Sequence, residues 1–327
     1  MSRPGTLEQA APRVPRPAPR PRTLKLAEQS QFPPFGRRLA ELGFRSLAAR
    51  PILGSGSVAS MERAPQPEYV FAESAEEQER RRLAAMEEDS DPGTFRRLER
   101  LGLGPGHVFL EIGPGGGSLA RWACERVGAA GRVVAIDADP RFVSGLRCPN
   151  LEVRPGDIRT ANLEAGAYDL VHARNVLLHL PDCEAVLHRL VAAAQPGGWL
   201  LIEDLDLTTQ RPATDDPAAS ALIQGVFGAI AQFHRSLGIQ VDLGRRLPSL
   251  FQRAGLRDVG AETELPLVPG GSTTARSLAL TLRGIAERMT QARLAAEDSI
   301  RQFVALLEDP ACWMMHAAKV AVWGRRS

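Results

Sequence analysis

The stretch 108-VFLEIGPGGGSLARW-122 decides how the chain is read. A short apolar run from Val108 to Ile112 predicts a buried strand, Gly113, Pro114, Gly115, Gly116 and Gly117 break it, and Leu119 to Val127 resumes with helical character. Glycine lets the backbone turn tightly and leaves no Cβ between main chain and ligand, and a helix N-terminus offers N–H groups that lack partners. The turn therefore predicts a small ligand lying against bare backbone.

Twenty residues after Gly117, the run 132-RVVAI-136 ends in Asp137. A second parallel strand beside the first puts that carboxylate within reach of a ribose diol, so turn and acid together point to a nucleoside-bearing ligand. A dinucleotide fingerprint spaces its glycines GxGxxG and sets the pyrophosphate on the helix N-terminus. Here the spacing is Glu111-x-Gly113-x-Gly115-x-Gly117, with Ser118 at the third dinucleotide position. Glu111 is poorly placed beside a pyrophosphate and suits a ligand with a cationic amino group. These residues resemble the class I S-adenosylmethionine (SAM) dependent methyltransferases, whose first motif is an acid followed by alternate glycines.

The order of elements agrees with that resemblance. A helix is expected after Pro140, a strand at 151-LEVR-154 leading to Gly156-Asp157-Ile158, and a strand at 168-YDLVHA-173 leading to 174-RNVLLHLPD-182. A helix from Asp182 to Ala194 and the turn Pro196-Gly197-Gly198 then precede a fifth strand, 199-WLLIED-204. Strands alternating with helices predict an α/β fold with a doubly wound, mostly parallel sheet, and ligands in such sheets sit outside the carboxyl ends of the strands. Asp137, Asp157, Arg174 and Glu203 become neighbours by that rule.

The resemblance implies a Rossmann-like seven-stranded sheet and gives the cofactor-binding positions as Tyr69, Glu111, Gly113, Gly115, Gly117, Asp137, Ala138, Asp157, Ile158 and Arg174. Asp157 matches the acid that accepts the adenine amino hydrogen, with the Ile158 N–H donating to the ring. Arg174 either pairs with the carboxylate of SAM or with a surface acid. His179, in LLHLPD, sits where related enzymes place a histidine near the reaction cavity. It is either a general base titrating near neutrality or a histidine packed in its turn. Glu203, with Asp204 and Asp206, is a further candidate base.

The N-terminal segment adds to the resemblance. Ser74 followed by Glu77 is a capping-box pattern, 75-AEEQERRRLAAMEED-89 has the polarity of a surface helix, and a second helix is expected from Gly93 to Leu101, after Pro92. Small-molecule methyltransferases of the ubiquinone and menaquinone type carry such a segment folded over the cofactor. Tyr69 is accordingly a lid residue, or an aromatic anchor for the helix.

At 327 residues and 44% hydrophobic composition, the chain can fill a large core. No apolar run approaches the roughly 18 residues of a membrane span. Cys124, Cys148, Cys183 and Cys312 are far apart and form no metal-binding pattern, as in a reduced, cytoplasmic protein with no metal. Residues 1–60 carry ten Lys or Arg against three Glu, and 15-PRPAPRPR-22 can form neither a helix nor a central strand. This leader is expected to be disordered: a transit peptide or nucleic-acid arm, or else a nonfunctional leader or a stretch upstream of a start at Met61. A short amphipathic helix is expected at 37-RRLAELGFRSLAAR-50. The rest of the chain is mildly acidic, which argues against nucleic acid as the main partner.

Beyond the fifth strand, Leu222, Val226, Ile230, Phe233 and Leu237 fall on one helical face. A sixth strand is expected at 257-RDVGAETEL-265, two helices between 269-PGGSTTAR-276 and Glu308, and a last strand at 317-AAKVAVWGR-325. The inserted helices are expected to roof the site, with Phe227, Phe233, His234 and Met289 as lining residues. The chain thus divides into a leader (1–60), a helical lid (61–102), a SAM-binding core (103–206) and a substrate cap with terminal antiparallel strands (207–327). The function expected is methyl transfer from SAM to the O, N or C nucleophile of a small-molecule acceptor, with a homodimer left open. The rivals are an NAD(P)-dependent oxidoreductase, a noncatalytic SAM-binding protein, and a nucleic-acid methyltransferase, which the acidic body and Arg174-Asn175-Val176 after the fourth strand disfavour.

Overall fold

The computed structural model describes residues 76–327. The leader, the 37–50 patch, Tyr69 and the Ser74 cap lie outside them. The chain runs α1 (Glu76–Arg100), β1 (Val108–Ile112), α2 (Ser118–Val127), β2 (Arg132–Asp137), β3 (Leu151–Pro155), β4 (Tyr168–Arg174), α3 (Cys183–Ala193) and β5 (Ala194–Asp206). It continues through β6 (Arg211–Pro212), α4 (Pro217–Ser236), α5 (Leu243–Arg253), β7 (Arg257–Glu264), β8 (Leu267–Pro269), α6 (Thr273–Gln291), α7 (Glu297–Glu308), β9 (Trp313–Met315) and β10 (Ala318–Arg325).

Seven strands form one sheet in the order β3-β2-β1-β4-β5-β10-β7. β1 pairs in parallel with both β2 and β4, and β10 runs antiparallel between β5 and β7. Strand order reverses at β1, so a crevice opens at its carboxyl end. Side chains alternate along each strand. Leu110, Ile112, Ile136, Val171 and Ile202 enter one apolar layer with residues of α3 to α7. Phe109, Val133, Leu170 and Leu201 enter the other, with Leu98 of α1 and Leu119, Ala123 and Val127 of α2. On that second face Glu111, His172, Arg174 and Glu203 continue the same rows, and apolar packing gives way to charge at the strand ends.

α1 meets that charge, which corrects two expectations. It is one helix that passes through Pro92 rather than two, and it is not a surface helix, since Glu79, Arg82, Asp91, Thr94 and Arg97 are all buried. Proline removes one helix hydrogen bond, and contacts on both sides of it hold the helix together. Before Pro92, Lys319 donates to the Asp89 carboxylate at 2.7 Å and Arg174 to Asp91 at 2.7 Å. After it, Thr94 donates to Glu203 at 2.5 Å and Arg97 to Glu203 at 2.8 Å, and Arg97 also reaches Glu262 at 2.9 Å. Burial alone would raise the Glu203 carboxyl. A hydrogen bond from His172, the nearby Arg174 charge and the Thr94 hydroxyl outweigh it and hold the group at about 2.

Three smaller corrections have local causes. After Pro140 the chain makes only a three-residue 3-10 turn, Pro140–Phe142, in place of a helix. The Pro196-Gly197-Gly198 turn lies inside β5 as a bulge, where the pairing with β4 shifts register. A separate three-stranded sheet, β6-β9-β8, packs against the cap helices. Its strands of two or three residues are too short to show alternation in sequence. No helix among the described residues is long and apolar enough to cross a membrane.

Arg97→Ala leaves the Glu203 carboxylate buried beside a lost charge partner and is expected to cost about 3–5 kcal/mol in urea unfolding. Arg96→Ala, at a side chain 58% exposed that also pairs with Glu262, should cost about 1 kcal/mol or less. Because its folded-state pKa is depressed, Glu203 contributes stability that is present above the ordinary carboxylate range and lost as pH falls from about 4.5 towards about 2.

Candidate active site

A cavity of about 440 Å³ opens at the carboxyl ends of β1, β2 and β4, under the first three turns of α1. That size falls within the range of roughly 300–1,000 Å³ typical of small-molecule sites. The fold brings Glu111, Gly113, Gly115, Asp137, Ala138, Asp157, Ile158, Arg174 and His179 together around it. Gly117 stands behind the turn as the residue that precedes α2, with φ 85°, and a Cβ there would come within 2.5 Å of Leu146. Tyr69 lies outside the described residues. Glu203 departs from the expectation of a catalytic base: its carboxylate faces α1 and is held by Arg97 and Thr94, away from this cavity.

The glycines make the floor. Gly113 and Gly115 have φ of 67° and 58°, a region that other L-residues rarely adopt, so the turn needs glycine at both positions. Beside them the Glu111 carboxyl is 3% exposed and its Oε2 has no hydrogen-bond partner. Burial above all pushes Glu111 up to about 8; Arg174 pulls the other way, while Asp91, Glu87 and Asp137 add to the rise. Asp137 is raised to about 6, again by burial, against hydrogen bonds from the backbone N–H groups of Asp139, Gly115 and Ala138. Asp157 sits lower than an ordinary carboxyl because Arg159 donates to both its oxygens, outweighing burial. Arg174 is fastened to α1 through Asp91 and Thr94.

His179 lines the cavity, whose apolar wall is formed by Leu83, Met86, Leu180, Leu237 and Ile239. It does not titrate near neutrality. Burial, then the neighbouring His234 and Arg82, push it down to about 4, so the ring is neutral at pH 7. The four expected lining residues are elsewhere. Phe227 packs edge-on against Phe303 at 5.3 Å, Phe233 and Met289 are buried in the cap core, and His234 packs beside Phe233. The apolar face of α4 is spent on α6 and α7, and it is the chain just after α4 that reaches the cavity. Sequence reasoning also missed the α1 residues Glu79, Arg82, Leu83, Met86 and Glu87, although their spacing of three and four places them on one helix face.

Residues 75–261 match the family described as "Methyltransferase domain". Methyltransferase str2 of Strobilurus tenacellus is 31% identical over 247 residues, which cover 74% of this chain and 84% of that protein. The ubiquinone biosynthesis O-methyltransferase of Xanthomonas campestris pv. campestris is 34% identical over 125 residues, 36% of this chain and 48% of that protein, so the match spans about half of that relative. A SAM-dependent methyltransferase from Aquifex aeolicus aligns with a TM-score of 0.40 at 17% identity, over 71% of this chain and 88% of that one. The oxidoreductase alternative has no support among these. The chain belongs to the methyltransferase-domain family, and it is a SAM-dependent methyltransferase.

Proposed function

We propose that the enzyme methylates a hydroxyl on a small, largely apolar acceptor, with the cofactor seated on the glycine turn and His179 accepting a hydrogen bond from that hydroxyl. The observation that carries this reading is the Glu111 carboxyl, buried beside bare backbone with one oxygen unpartnered. Such a group lowers its cost by taking a proton or by meeting a cation, and the ammonium of SAM is a cation of the right size. Asp137, next to Ala138, would accept from the ribose diol. Asp157 and the Ile158 N–H would meet the adenine, and Arg174 the methionine carboxylate.

Bound SAM supplies an electrophilic methyl on a sulfonium. The chain's own work is to hold the acceptor close, in line and away from water, and such positioning can contribute about 7–11 kcal/mol. The apolar wall of Leu83, Met86, Leu180, Leu237 and Ile239 suits an uncharged acceptor. A hydroxyl becomes strongly acidic only as its new C–O bond forms, so a weakly basic, neutral imidazole suffices to take the proton late. A relative named as an O-methyltransferase supports oxygen as the acceptor atom. This reading treats 61–102 as lid, 103–206 as cofactor core and 207–327 as substrate cap. It also places the enzyme in the cytoplasm, where the free thiols of Cys124, Cys148, Cys183 and Cys312 would stay reduced.

Below about pH 8 the Glu111 proton must leave before a cation can bind beside it. Affinity for S-adenosylhomocysteine in isothermal titration should therefore rise by up to about tenfold per pH unit towards pH 8 and then level off, with a proton released on binding. Glu111→Gln should bind more weakly with no such slope; a slope retained in the variant contradicts the assignment. His179→Asn is expected to lower kcat by about a hundredfold or more, with KM for SAM unchanged. In the native enzyme kcat should show no step near pH 6.5, because His179 titrates at about 4. Unchanged kcat in His179→Asn would remove it from the reaction.

A further inference from the structure

The N-terminus of α2 is where a nucleotide-binding fold would place a phosphate, since its free N–H groups and dipole favour an anion. In this chain that position is already filled from within. α2 has no acid in its own first turn, and the residue preceding it, Gly117, supplies no side-chain cap. The carboxylate there comes from α1: Glu87 Oε1 accepts from the Ser118 N–H at 3.3 Å. It lies so close to the turn that a Cβ added at Gly116 would stand 2.7 Å from the same oxygen. Glu87 also lines the cavity, as does Glu111, whose Oε2 is buried and unpartnered and whose carboxyl Glu87 influences electrostatically.

The charged groups around this point are unbalanced. Glu87 and Asp91 come from α1, Glu111 from β1 and Asp137 from β2, against Arg174 from β4, while the cavity's Arg82 and Arg159 are paired with Glu79 and Asp157. Arg174 is itself engaged by Asp91 at 2.7 Å. A phosphate entering here would meet carboxyl groups where a nucleotide site offers N–H groups, whereas a cationic ligand gains from each one that is ionised.

We propose that Glu87 is a specificity-determining residue, an internal carboxylate that occupies the anion position of α2 and so rejects phosphate-bearing adenine nucleotides while favouring the cationic adenosyl cofactor. The cofactor half of this statement rests on the reading given above; rejection of phosphate does not. The two halves can be separated by titrating ADP and S-adenosylhomocysteine into the native protein, Glu87→Gln and Glu87→Ala, with Tm recorded for each.

The native protein should bind S-adenosylhomocysteine much more tightly than ADP. Glu87→Gln should bind ADP about tenfold or more tighter than the native protein does, and S-adenosylhomocysteine several-fold more weakly. Glu87→Ala, which also clears the space, should gain still more for ADP. If Glu87 serves only as a cap, both variants lose Tm while the ratio of the two affinities stays constant, and the proposal is overturned. Absence of S-adenosylhomocysteine binding by the native protein would instead overturn the cofactor reading, and the ADP comparison would still decide the role of Glu87.

Discussion

The organisation of this enzyme follows from one desolvated carboxyl. Glu111 sits at the end of the central strand, where the sheet reverses its order, and the fold surrounds it with protein while leaving one oxygen without a donor. An ionised carboxylate in that setting is costly, and the apo protein responds by holding the proton up to about pH 8. A ligand that brings a positive charge to the same place replaces the proton. Under the proposed placement of the cofactor, binding selectivity is stored in the unliganded fold as an unsatisfied charge preference.

Maintaining that state requires water to be kept out, and α1 is the element that does so. Its first half covers the glycine turn through Leu83, Met86 and Glu87. Its second half is fixed to the sheet by Arg97 and Thr94 on Glu203, and by Asp91 on Arg174. The two halves divide the work between cavity wall and anchor. Buried ion pairs add little net stability compared with apolar packing, but breaking one is expensive, which favours a single docked position for the helix. Arg174 links the two functions, since it ties α1 to β4 while its charge also acts on Glu111.

The sheet and the glycine turn were legible in the sequence because their signals are local. Val108 to Ile112 is bounded by glycines, and Asp137 ends an apolar run. The features that escaped depend on partners remote in sequence. Pro92 marks a helix end by local rules, and the bond from Lys319 to Asp89 that helps override it spans 230 residues. His179 has an ordinary sequence context and acquires its low pKa only when the fold buries it and brings His234 and Arg82 beside it. Glu203 was expected at the site from its place at a strand end, but it stands one strand beyond Arg174, where Thr94 and Arg97 of α1 take its carboxylate. Phe227, Phe233 and Met289 show the limit of apolar periodicity, which marks a buried face without saying whether helices or a ligand will cover it.

The central claim is that Glu111 carries a proton at neutral pH in the free enzyme and yields it to the cofactor. Carbon-13 NMR of protein labelled at the glutamate side-chain carboxyl, with Glu111→Gln used to assign the resonance, follows that proton directly. In the free enzyme the Glu111 signal is expected to titrate near pH 8, and with S-adenosylhomocysteine bound it should remain in its ionised position down to the ordinary carboxylate range. A signal that titrates near pH 4.5 with and without the ligand would contradict the claim.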